Sequence, residues 1–161
     1  MRRKEREVTN SEEIRKVLGE CKVCRLGMIA DGKPYIVPMN MGCDYDGEKL
    51  IIYFHCAREG KKLGLLRESA KVGFEMDREI ALAKGSTPCQ YSYYFASIIG
   101  TGQAELVEEE EEKAKALAKI MKHQTGKDFS DFEKNPKLLQ AVMIIKVTAE
   151  EFSCKQNLPV N

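Results

Sequence analysis

Two Asp-Gly pairs, Asp31-Gly32 and Asp46-Gly47, each separate stretches in which apolar side chains recur at every second position. An Asp-Gly pair in that setting marks a tight turn between antiparallel strands, because both turn positions tolerate a positive φ. Cys24, Leu26 and Met28 alternate with Val23, Arg25, Gly27 and Ile29; Tyr35 to Cys43 alternates again; a third strand follows from Lys49 to His55. This part of the chain reads as a three-stranded meander.

Around it the spacing predicts a helix over 11–20, with Ser11 as N-cap and Ile14, Val17 and Leu18 as its apolar stripe. A short helix is expected at Leu63, Leu66 and Arg67, a strand from Lys71 to Asp77, and a loop over 79–90 around Gly85-Ser86-Thr87-Pro88. Tyr93 to Val107 is a long strand with a bend at Gly100 and Gly102. The glutamates from Glu108 to Glu112 open a helix, with Glu109–Lys113 and Glu111–Lys115 as i,i+4 pairs and Ala114, Leu117, Ala118 and Met121 as its stripe. Residues 124–138 are polar and carry Gly126 and Pro136; Ala141 to Thr148 closes the chain's last strand. Six or more antiparallel strands with few helices favour a closed or nearly closed barrel. The expected class is α+β, predominantly β, with flanking helices.

The chain's 161 residues suit one domain, 1–161, with a helical lead-in over 1–20 and a barrel over about 22–150. Lys and Arg total 26 against 25 Asp and Glu, so no broad basic field for nucleic acid follows. No apolar run approaches the roughly 18 residues of a membrane span. The basic start Met1-Arg2-Arg3-Lys4 leads into polar residues rather than an apolar stretch, so no secretory signal is expected. Six cysteines without an export signal read as free thiols in a reducing cytoplasm. Cys21-Lys22-Val23-Cys24 lacks the second ligand pair of a structural zinc site and leads into a strand, so ordinary, partly buried cysteines are expected and no metal.

Three features bear on chemistry. Gly60-Lys61-Lys62 follows a strand and opens a helix, where backbone N–H groups and two ammonium groups suit a phosphate, or two solvated surface lysines. Arg25 interrupts an apolar strand and must face solvent or meet a ligand or carboxylate, since an unpaired buried guanidinium is costly; Gly27 beside it would let a flat ring approach the backbone. His55 ends the third strand on the face of Tyr53 and Ile51, as a structural or a catalytic histidine; His123 lies near a helix C-terminus, where an imidazolium suits the dipole. Hydrolase, Walker and Rossmann signatures are missing from the sequence.

Several segments occur together in order: Arg2-Arg3-Lys4-x-Arg6-Glu7-Val8, Val23-Cys24-Arg25-Leu26-Gly27, Pro34-Tyr35-x-Val37-Pro38-x-Asn40, Tyr53-Phe54-His55-x-Ala57-x-Glu59-Gly60-Lys61-Lys62 and Ser97-Ile98-Ile99-Gly100-x-Gly102. Over roughly residues 1–155 the chain resembles the nitroimidazole-resistance (Nim) branch of the pyridoxamine 5'-phosphate oxidase-like flavoproteins. The resemblance implies a split β-barrel homodimer with FMN at the subunit interface. Arg25, Leu26, Gly27 and Met28, with Pro38, Met39 and Asn40, would face the flavin ring; Gly60, Lys61 and Lys62 would hold its phosphate. His55 would lie near the flavin and act in its redox chemistry, and Ser97 would reach the cofactor from the partner subunit. An inward Arg25 would place positive charge beside the ring. The implied function is an FMN-dependent oxidoreductase acting on a small flat acceptor such as a nitroaromatic; the alternative is a flavin- or haem-binding carrier or sensor. Phe152-Ser153-Cys154-Lys155-Gln156 departs from the C-terminal arginine and histidine pattern of the true oxidases, so vitamin B6 oxidation is not implied.

Overall fold

In the computed structural model, residues 3–159 are described, apart from 133 and 135; Arg2 of the basic start lies outside them. A single 3-10 turn, Lys4–Arg6, and strand β1 (Glu7–Val8) lead into helix α1 (Ser11–Glu20). Strands β2 (Val23–Ala30), β3 (Lys33–Tyr45) and β4 (Leu50–Ala57) follow, then helix α2 (Lys61–Glu68). Next come β5 (Lys71–Ala83), β6 (Ser92–Val107), α3 (Glu110–Thr125), α4 (Pro136–Ala141) and β7 (Val142–Asn157).

The meander forms on the two Asp-Gly turns. Asp31 and Gly32 take φ 51° and 72°, the mirror-image turn that matches strand twist. At the second turn Asp46 accepts the N–H groups of Glu48 and Lys49, and Gly47 takes φ 114°. The sheet runs β1-β7-β4-β3-β2-β5-β6, and β6 pairs in turn with β7, closing a ring of six antiparallel strands. Alternation turns Leu26, Met41, Ile52, Phe54, Met76 and Ile98 into its interior, where each is fully buried. A second core lies outside the ring, where Leu117 and Ile120 of α3 cover Tyr53 and Ile144.

Several boundaries differ from the sequence expectation. Asn10, not Ser11, caps α1: its side-chain oxygen accepts the N–H groups of Glu12 and Glu13 at 3.0 Å each. The Ser11 hydroxyl donates instead to the Gly47 carbonyl. Part of the expected loop over 79–90 is strand, because β5 runs to Ala83 through a bulge between Glu79 and Ala81. β7 continues past Thr148 to Asn157, paired with β1 on one side and β6 on the other. The polar stretch before it contains α4, begun at Pro136. Glu111 and Lys115 pair as expected, but among the described residues the Lys113 ammonium forms no ion pair with Glu109; Lys113 is only 4% exposed and donates to the carbonyls of Leu139 and Val142. No helix among the described residues is long and apolar enough to cross a membrane.

Candidate functional site

The ring is parted at one seam. β3 pairs with β4 only from Met41 to Tyr45, against Phe54 to Leu50, while His55, Cys56 and Ala57 pair with β7 alone. Over residues 33–40, β3 is bonded to β2 only. The two-residue turn makes Ala30 and Lys33 a bonded pair, so the backbone groups of 34, 36, 38 and 40 face away from β2, toward the seam. Tyr35, Val37 and Met39 turn their side chains the other way, onto the interior core.

Helix α2 begins across this seam. Gly60, its N-cap, takes φ 136°, a conformation side-chain-bearing residues rarely adopt, with open space where a Cβ would stand. No side chain caps the helix, and the N–H groups of Lys61 and Lys62 find no partner among the described residues. Lys61 Nζ lies 4.8 Å from the centre of the Tyr35 ring. Lys62 stands close enough to Cys56 to pull that thiol's pKa down against the larger, opposing effect of burial. Neither lysine forms an ion pair with an acid among the described residues, so the helix start carries uncompensated positive charge.

The other expected site residues fall into two groups. Leu26 and Met28 point into the core, so only their backbone reaches the outer face. Met39 is half-buried against the same core. The Asn40 amide donates to Gln124 Oε1 at 3.2 Å and to the Lys22 carbonyl at 3.4 Å, tying β3 to the end of α3. Arg25, Gly27, Pro38 and Ser97 lie on the outward face of the sheet. There Arg25 donates to Glu75 at 2.8 Å and also to Asp77. Of the alternatives open for Arg25, the carboxylate partner is the one observed: two carboxylates answer its guanidinium on the outward face. Ser97 sits on β6 opposite Asp77 and Lys155, away from α2 within one chain.

His55 is exposed, on the face of β4 that carries Tyr53 and opposite Cys56. Its ring makes no hydrogen bond among the described residues. His123 is the more constrained of the two. Its Nε2 donates to the Cys21 carbonyl at 2.8 Å and Nδ1 lies 3.9 Å from Cys43 Sγ. Burial, which outweighs the carbonyl contact, holds its pKa below the ordinary value, opposing the imidazolium that the helix end would favour. Cys21 and Cys24 are fully buried free thiols, and burial pushes each up to about 12.

One lip of the seam escapes notice in the sequence. Tyr35 looks like any inward strand residue; its meaning comes from Lys61, 26 positions later, arriving over its ring. The outward face also holds a feature that alternation alone does not reveal. Gly27 and Gly73 are paired side by side, Ile36 flanks Gly27, and together with Ile29, Pro34 and Thr101 they line a shallow hollow of about 440 Å³.

A six-stranded antiparallel ring, parted beside a cationic helix start, defines a split β-barrel. The chain belongs to the pyridoxamine 5'-phosphate oxidase family, whose model matches residues 10–156. Among solved structures it is similar to a candidate 5-nitroimidazole antibiotic resistance protein from Bacteroides thetaiotaomicron, with 27% identity and a TM-score of 0.76, covering 93% of this chain and 86% of that one. The flavocytochrome Anf3 from Azotobacter vinelandii shares the fold at 19% identity and a TM-score of 0.78, over 99% of this chain and 72% of the other. So does an FAD and heme binding protein from Mycobacterium smegmatis, at 17% identity and a TM-score of 0.76, over 97% and 76%. No curated protein matches the chain significantly.

Proposed function

We propose that this protein binds FMN in the seam and serves as a flavin-dependent oxidoreductase for a small flat acceptor such as a nitroaromatic. The observation that carries the reading is the start of α2, where two N–H groups and two ammonium groups, without hydrogen-bond or acid partners among the described residues, meet at an open glycine. That donor set fits a phosphate, whose oxygens accept from backbone N–H and Lys alike. The unpaired edge of β3 at 36 and 40 offers further backbone donors, and the carbonyls beside them acceptors, to a ring laid along the seam. When bound, the flavin would supply the electron-transfer chemistry. The chain's part is to hold the phosphate at Gly60, Lys61 and Lys62 and to orient the ring along β3. His55, exposed at the end of β4, is assigned the delivery of a proton from its imidazole N–H to the reduced acceptor.

The same reading makes the protein a homodimer. Ile29, Ile36 and Ile99 are 65%, 62% and 55% exposed on one sheet face floored by Gly27 and Gly73. A flat apolar face of this kind suits a second copy, and a two-fold pair is the commonest assembly. Ser97, on that face, would then reach the partner's seam.

The deciding experiment is the absorbance spectrum of the purified full-length chain, followed by titration with FMN and with riboflavin. A flavin spectrum, bleached by NADH or NADPH and restored by a nitroimidazole, is expected; a Soret band without flavin would favour the haem carrier. Because a charge-assisted hydrogen bond is worth about 1.5–3 kcal/mol, Lys62→Met should weaken FMN by roughly tenfold or more and leave riboflavin unaffected. Equal affinity of the unaltered protein for the two flavins would overturn the phosphate assignment.

A further inference from the structure

Resting on the flavin reading above, we propose that Tyr35 is a positioning residue for the phosphate end of the site. Its ring fixes the Lys61 ammonium over the seam. Lys61 is the first residue of α2, and its side chain has no carboxylate to hold it among the described residues. A lysine so placed would sample many rotamers in water, and ordering it on binding costs free energy. The Tyr35 ring, 4.8 Å from Nζ, removes part of that cost beforehand.

The choice of partner matters. A carboxylate would hold the ammonium as well but would cancel the charge that an anion needs, as Glu75 and Asp77 do for Arg25. A π face attracts the cation and leaves its charge and its N–H donors available. Tyr35 can act as a fixed support because it is half-buried against the interior core, on the stretch of β3 that has left β4. Its hydroxyl makes no hydrogen bond among the described residues, so the ring alone carries the effect. The two lips of the seam are thus linked through the group that would meet the phosphate.

The test uses full-length protein freed of flavin, titrated by fluorescence with FMN and, separately, with riboflavin. Tyr35→Phe keeps the ring and should match the unaltered protein. Tyr35→Leu should weaken FMN by about two- to fivefold and leave riboflavin unchanged. In a Lys61→Met background, Tyr35→Leu should add nothing. Equal losses for FMN and riboflavin, or an undiminished loss in the Lys61→Met background, would overturn the proposal. A second readout needs no flavin: with lysines carrying ¹³C-methyl labels, the Lys61 resonance should show an upfield ring-current shift that Tyr35→Phe keeps and Tyr35→Leu abolishes. A missing shift in the unaltered protein overturns the positioning role even where FMN binds. A normal shift in a protein that binds FMN and riboflavin equally leaves the contact standing but overturns the phosphate reading, and with it this role.

Discussion

Gly42 of β3 lies against the backbone of Ile120 in α3: a Cβ built on Gly42 would stand 2.7 Å from both the Ile120 Cα and its nitrogen. The second core closes at this point, with the helix resting flush on the strand. The neighbour is main chain, so no side-chain rotation can relieve the clash. Gly42→Ala should destabilise the protein by about 1–3 kcal/mol, as overpacked sites do. Thermal unfolding should show this as a fall of several degrees, with α3 lifted from β3; an unchanged Tm would refute the close packing.

The half-buried His123 sets a pH dependence. Its folded pKa lies below the ordinary value, so between the two the unfolded chain binds the extra proton. Stability from this group is present above the unfolded pKa, near 6.5, and is lost as pH falls toward the folded one. Urea unfolding at about pH 7.5 and about pH 5.5 should give a lower free energy in acid, and His123→Gln should flatten the difference. An undiminished slope in the variant would assign it to other groups.

If the apolar sheet face is the dimer contact, charge placed there should separate the copies. Light scattering should give a dimer mass for the unaltered chain and a monomer for the Ile36→Glu, Ile99→Glu double variant, each residue now more than half exposed. A monomeric mass for the unaltered chain with FMN bound would defeat the assembly.

His55 carries the most exacting claim. His55→Ala should slow reoxidation of the reduced holoprotein by a nitroimidazole about 10²–10⁴-fold, the usual worth of a placed proton donor, with FMN affinity little changed. Stopped-flow rates that match those of the unaltered protein would end the proton-delivery role.

Much of this architecture is legible in the chain before folding. The Asp-Gly turns and the alternation of Cys24, Leu26 and Met28 define the meander, because one buried face imposes a period of two. The far half of β7 is not legible: Glu150 to Gln156 reads as polar surface, yet pairing on both sides keeps it extended. Lys113 resembles a salt-bridging helix lysine until α4 places the Leu139 carbonyl above it. The cationic start of α2 at Lys61 and Lys62 is legible in local sequence alone, whereas Arg25 does not reveal its partners, 50 and 52 positions away. Local chemistry survives reading; long-range neutralisation does not.

The parted seam leaves β3 with an open edge, and an open edge invites other chains to add strands to it. Two of the four residues that face it, Pro34 and Pro38, have no N–H to offer. They lie where β2 asks for no donor, so the native ladder loses nothing by their presence. An intruding strand would find the ladder broken at every second rung. The parted edge is thereby closed to fibril-like stacking, and replacing both prolines should reveal itself first as aggregation on storage.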